Sequence, residues 1–89
     1  MTIITNIKSF VFNQSILVID NEEIIYSTKA TIKELPNVIC SLANKYNCEN
    51  VKITGASKKY MEEIKNKTNT LFNNKFSESN EFKLKIECI

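Results

Sequence analysis

Two stretches of the chain hold residue types that could do chemistry. In the first, an apolar run from Val51 to Thr54 stops at the only glycine in the protein, Gly55, and reopens on Ser57 and Lys58. Where a strand meets a helix N-terminus, free amides point outward and suit phosphate. Gly55, Ser57 and Lys58 are therefore the candidate weak anion site. A true phosphate loop has several glycines and a lysine directly before a Ser or Thr, and neither holds here. A tight strand-to-helix connection, with Gly55 making the sharp departure and Ser57 capping the helix, accounts for the same residues. The second stretch is Asp20, Glu22 and Glu23, acids without the spacing or glycine of a calcium loop. A solvated turn explains them, and no metal site is expected.

Absences narrow the chemistry further. The chain has no histidine, which removes the commonest general base and transition-metal ligand, and with it Ser-His and Cys-His nucleophiles. Its three cysteines, Cys40, Cys48 and Cys88, are odd in number and lack metal-ligand spacing, so free thiols are expected. Cys48, placed in a loop, is expected to be the most accessible, with nothing to lower its pKa. All twelve basic residues are lysines. Without arginine, bidentate reading of guanine is lost, which argues against specific nucleic-acid recognition. Neither an enzyme nor a cofactor is indicated.

These residues need positioning by a small domain. At 89 residues, 43% hydrophobic and 25% charged, the chain is read as one ordered domain over 1–89. It shows no apolar stretch long enough to span a bilayer and no signal-peptide pattern, so a cytoplasmic location is expected.

Residues 2–12 alternate apolar side chains on both faces, a strand that wants cover on both sides. Asn13-Gln14 reads as a turn, 15–19 as a second strand, 20–22 as a turn and 23–27 as a third strand. Ile32, Leu35, Ile39, Leu42, Ala43 and Tyr46 recur at helical spacing and predict a helix over Leu35–Tyr46. Thr31 with Glu34 forms a capping-box pattern over a loose first turn ahead of Pro36, and Asn47 or Asn50 can close the helix in the left-handed conformation. Asn50–Thr54 follows as a central strand, then a helix over Lys58–Phe72 and a mobile polar loop over 73–80. Phe82, Leu84, Ile86 and Cys88 alternate with charged residues in a last, edge strand.

The element order is βββαβαβ, an α+β (α/β mixed sheet) fold. Right-handed crossovers predict five strands in the order 3-2-1-4-5 with two helices. This topology resembles the ribonuclease H-like and actin-like folds. The nuclease family's two-metal chemistry would imply carboxylates on the first strand, the first helix and the end of the fourth strand. The first strand has no acid, the fourth ends in Thr54, and only Glu34 lies near the first helix. No catalytic residue carries over.

What remains is surface. Edge strands pair readily, so the candidate interface is Phe82, Lys83, Leu84, Lys85 and Ile86 on the last strand with Ile24 and Tyr26 on the third. A protein partner or a homodimer through an edge strand is expected. The lysine-, asparagine- and isoleucine-rich composition is similar to that of small phage and mobile-element proteins of low-GC bacteria. That resemblance implies an inhibitor, anti-defence or adaptor role. The alternatives are nonspecific nucleic-acid binding through the lysine-rich second half, and a catalytically dead nuclease or nucleotide-binding remnant.

Overall fold

The β-branched runs and the helical apolar stripe resolve, in a computed structural model describing residues 1–8, 13–76 and 82–89, into seven elements. They are β1 (Thr2–Asn6), β2 (Gln14–Asp20), β3 (Glu23–Ala30), α1 (Leu35–Tyr46), β4 (Asn50–Thr54), α2 (Lys58–Phe76) and β5 (Lys85–Cys88). The strands form one sheet in the order β3-β2-β1-β4-β5. β1 runs antiparallel to β2 and parallel to β4, and β4 runs parallel to β5. The middle of the sheet thus belongs to β1, and β4 is an inner strand beside it.

Register decides which residues share a face, because side chains directly opposite across a ladder project to the same side. Val18, Ile3, Val51 and Ile86 form one such row, and Ile16, Thr5 and Ile53 another. All seven are buried, together with Leu35, Ile39 and Ala43 of α1 and Met61, Ile64 and Phe72 of α2. Both helices therefore cover the same face. The buried polar residues are satisfied within it. Thr5 Oγ1 donates to the Ser15 carbonyl at 2.8 Å, Thr68 Oγ1 to the Ile64 carbonyl at 2.7 Å, and Gln14 Oε1 accepts the Lys8 amide at 2.7 Å.

Local signals explain the joints. Asn21 and Glu22, with φ of 50° and 68°, make the two-residue left-handed turn that matches the twist of a hairpin. Thr31 and Glu34 bond reciprocally, the Thr31 hydroxyl to Glu34 Oε1 at 2.8 Å and the Glu34 amide to Thr31 Oγ1 at 3.3 Å. The capping pair thus closes the turn just before α1. Asn47 ends α1 at φ 58°. Gly55 sits at φ +93°, and a Cβ there would meet the Ile7 carbonyl oxygen at 2.6 Å as well as Asn6 Oδ1. Only a residue without a side chain fits where β4 leaves beside β1. Ser57 Oγ then accepts the Tyr60 amide at 3.3 Å as the cap of α2.

Several boundaries differ from the sequence reading. β1 stops at Asn6 rather than continuing to residue 12; Ile7 makes one more bond, its amide to the Thr54 carbonyl at 2.8 Å, and residues 9–12 lie outside the described region. Gln14 is a strand residue paired with Ala30, held there by its buried carboxamide. β3 extends to Ala30. α2 runs four residues further than expected, to Phe76, whose ring packs at a tilt on Phe72 with centroids 5.5 Å apart. The loop expected over 73–80 is helical to Phe76, and 77–80 lie outside the described residues. Asn50 opens β4 rather than closing α1, and only Lys85–Cys88 of the last apolar alternation joins the sheet.

Candidate interaction surface

With both helices on one face, the second face bears the other half of each strand's side chains. Leu17 of β2 stands opposite Ile4 of β1, and Ile19 opposite Ile24 of β3. The four form one apolar patch by register. Ile4, Leu17 and Ile19 are half-buried, and none belongs to the core cluster or to the apolar residues packed against it. Among the described residues, no helix covers this side. Its border is polar, with Lys52 opposite Ile4, Glu87 opposite Lys52, and Lys29 opposite Ser15.

The patch runs into the β3 edge. Between Val18 and Ile19 the β2–β3 register shifts, with Tyr26 opposite Val18 and Ile24 opposite Ile19. Ile25 is thus the extra residue of a bulge. Ile24, Ile25 and Tyr26 are 60%, 41% and 38% exposed, a run of large apolar side chains on a strand paired on one side only. Tyr26 is anchored on the helix side by Tyr46, with ring centroids 5.8 Å apart, and the Lys45 ammonium lies 5.9 Å from one ring and 5.5 Å from the other.

The other candidate edge is built differently. Of its five residues, Leu84 and Ile86 turn inward and are buried, and Phe82 stacks on Phe72 at 5.7 Å. These three side chains serve the core. Lys83 and Lys85 face solvent, and Lys85 pairs with Glu49 at 2.8 Å, which raises the Lys85 pKa. Of the predicted interface residues, Ile24 and Tyr26 therefore lie together on an accessible strand. Ile4, Leu17, Ile19 and Ile25 were missed, although apolar residues on both faces of the first two strands, with only two helices to cover them, already signalled a second apolar face.

The anion candidates do not converge on a cradle. The Ser57 hydroxyl accepts a bond inside its own helix, and Gly55 backs onto Asn6 and Ile7. Lys58 lines a cleft of about 750 Å³ whose walls mix Lys52, Lys65 and Lys85 with Glu62 and Glu87. Among the described residues, no group of three Cys, Asp or Glu side chains could hold a metal ion.

The thiols correct one expectation. Cys48 is fully buried, because the turn after α1 folds under and its amide donates to the Ala43 carbonyl at 2.9 Å. Burial raises its pKa and pushes Cys40, whose thiol donates to the Thr68 carbonyl at 3.4 Å, up to about 11. Cys88, half-buried, is the accessible one. Its pKa is also raised, by desolvation first and then by Glu62, against the nearby Lys65 and Lys58. None of the three carries the depressed pKa of a reactive thiolate.

No helix of the described residues is long and apolar enough to cross a membrane. No family model, curated protein or solved structure matches this chain, so its function has to be read from its own surface.

Proposed function

We propose that this chain is a non-enzymatic binding module that works through protein–protein contact, and that its contact surface is the open sheet face with the β3 edge. The observation that carries this reading is Ile24, exposed on an edge strand beside the exposed Ile25 and Tyr26 and continuous by register with Ile19, Leu17 and Ile4 on the face away from the helices. An exposed apolar patch with a polar rim is the usual mark of an interaction site, and an open edge supplies main-chain hydrogen bonds to an added strand. The compositional resemblance to phage and mobile-element proteins extends the reading to an inhibitor or adaptor of another protein.

The test is capture from the source cells with the wild-type chain and with Leu17→Lys and Ile24→Lys variants whose circular dichroism matches it. The expected outcome is a protein retained by the wild type and lost by both variants. Equal retention by all three chains would move the contact off this face. Retention of nucleic acid by the wild type, lost when salt is raised, would favour the lysine-based alternative.

A further inference from the structure

Accepting β3 as the contact strand, we infer that its partner is β3 of a second copy, paired antiparallel about a two-fold axis. Charge selects this partner. Glu22 and Glu23 stand at the hairpin end of β3, Lys29 near its other end and Lys33 in the turn beyond. All four are exposed. The salt bridge found among the described residues joins Lys85 to Glu49, so these four charges have no ion-pair partner among the described residues. A parallel alignment of two β3 strands would set acids beside acids. The antiparallel alignment sets the acidic end of each against the lysine end of the other, twice over.

Register sharpens the placement. From Tyr26 to Ala30 the pairing with β2 is continuous, Val18 opposite Tyr26 through Gln14 opposite Ala30, and the bulge begins only at Ile25. This unbulged segment can pair with its own copy about Thr28, Tyr26 facing Ala30 of the second copy. Counted straight through, with the bulge at Ile25 in between and Lys33 in the turn past the strand end, Glu23 falls level with Lys33 of that copy and Glu22 with its Glu34. With Glu34 counted, Lys29 and Lys33 leave that end only net basic by one. The two sheets continue into one of ten strands, with the Ile24 and Ile25 side chains of each copy at opposite ends of the joint. The contact is isologous, so it closes at two copies and does not propagate.

One strand pair with a few apolar side chains buries less than the roughly 1,200 Å² of a stable complex, so a dissociation constant of order micromolar is expected. Sedimentation equilibrium of the full chain under reducing conditions, from about 10 µM to about 1 mM, should show the mass rising from 10.2 kDa towards twice that value. Lys29→Glu with Lys33→Glu makes both ends acidic and should weaken the dimer about tenfold or more. Glu22→Lys with Glu23→Lys should do the same, and all four substitutions together should restore wild-type affinity to within about threefold. A chain that stays monomeric throughout overturns the self-pairing, as does a dimer indifferent to reversal at either end. A monomer that still loses a captured protein on Ile24→Lys leaves the contact reading intact and refutes only the identity of the occupant.

Discussion

β3 and β5 are the two edges of one sheet, and the chain treats them in opposite ways. β5 is four residues long, turns Ile86 and its neighbour Leu84 into the core, and shows solvent Lys83, Lys85 and Glu87. Short length and charge are standard defences of an edge against unwanted pairing. β3 is eight residues long, and only Ala30 is buried. It carries a bulge, another defence, yet places Ile24, Ile25 and Tyr26 beside it in the open. An edge left apolar while its counterpart is guarded is the feature on which the proposed contact rests. On the proposed reading the contrast also divides the energetics, with β5 serving the core and β3 serving contact.

The sharpest way to break that division is to weaken the β5 side. Phe72 is fully buried, stacked on Phe82 and tilted against Phe76. Phe72→Ala should cost about 3–5 kcal/mol of unfolding free energy in a urea titration, through lost burial and the cavity left behind. A cost below about 1 kcal/mol would mean that the closed side is not where stability lies. Next comes Gly55→Ala, at the crossing that fixes β4 beside β1. A left-handed φ together with a Cβ pressed on the Ile7 carbonyl should cost at least about 2 kcal/mol. A neutral result would show that the crossing can relax.

The helical seam between these regions gives a pH test. In the unfolded chain the Cys40 thiol ionises near 9.0, while burial in the fold pushes it up to about 11. As pH rises, the unfolded state loses its proton first. The stabilisation is therefore fully present below about pH 9 and falls through the window up to about 11, by up to about 2–3 kcal/mol. Cys48 and Cys88 shift in the same direction, so the comparison is with Cys40→Ala, whose stability should decline less steeply across that window. Parallel declines would place the effect elsewhere.

How far these features were legible in the sequence follows the same division. Local chemistry announced the joints: Thr31 with Glu34, Asn47 and Ser57 each act through neighbours a few residues away, Gly55 was flagged as the lone glycine although its constraint comes from distant Asn6 and Ile7, and the strand order follows from the element order and crossover handedness. What the sequence hid depends on distant partners. Gln14 reads as a turn until its carboxamide is seen to accept the Lys8 amide. Cys48 reads as a loop thiol until the turn folds it under α1. Leu84 and Ile86 alternate like a half-exposed edge strand, but alternation cannot say which face the helices cover. The same limit concealed the patch of Ile4, Leu17 and Ile19, which exists only because both helices fall on one side.

The smallest expected effect is the most discriminating. If β3 contributes contact and little stability, Ile24→Lys removes apolar surface that the isolated fold leaves 60% exposed, and its unfolding free energy should stay within about 0.5 kcal/mol of wild type. Ile19 opposite would lose one cross-strand neighbour, a pair worth only a few tenths to about 1 kcal/mol. Equilibrium urea unfolding at low protein concentration, where any association is dissolved, measures this monomer term alone. A loss comparable to that of Phe72→Ala would show that Ile24 is part of the structure's support, and the open edge would then be a stability element with no surface to spare for a partner. An unchanged monomer with altered binding would instead place selection for that isoleucine outside the fold that carries it.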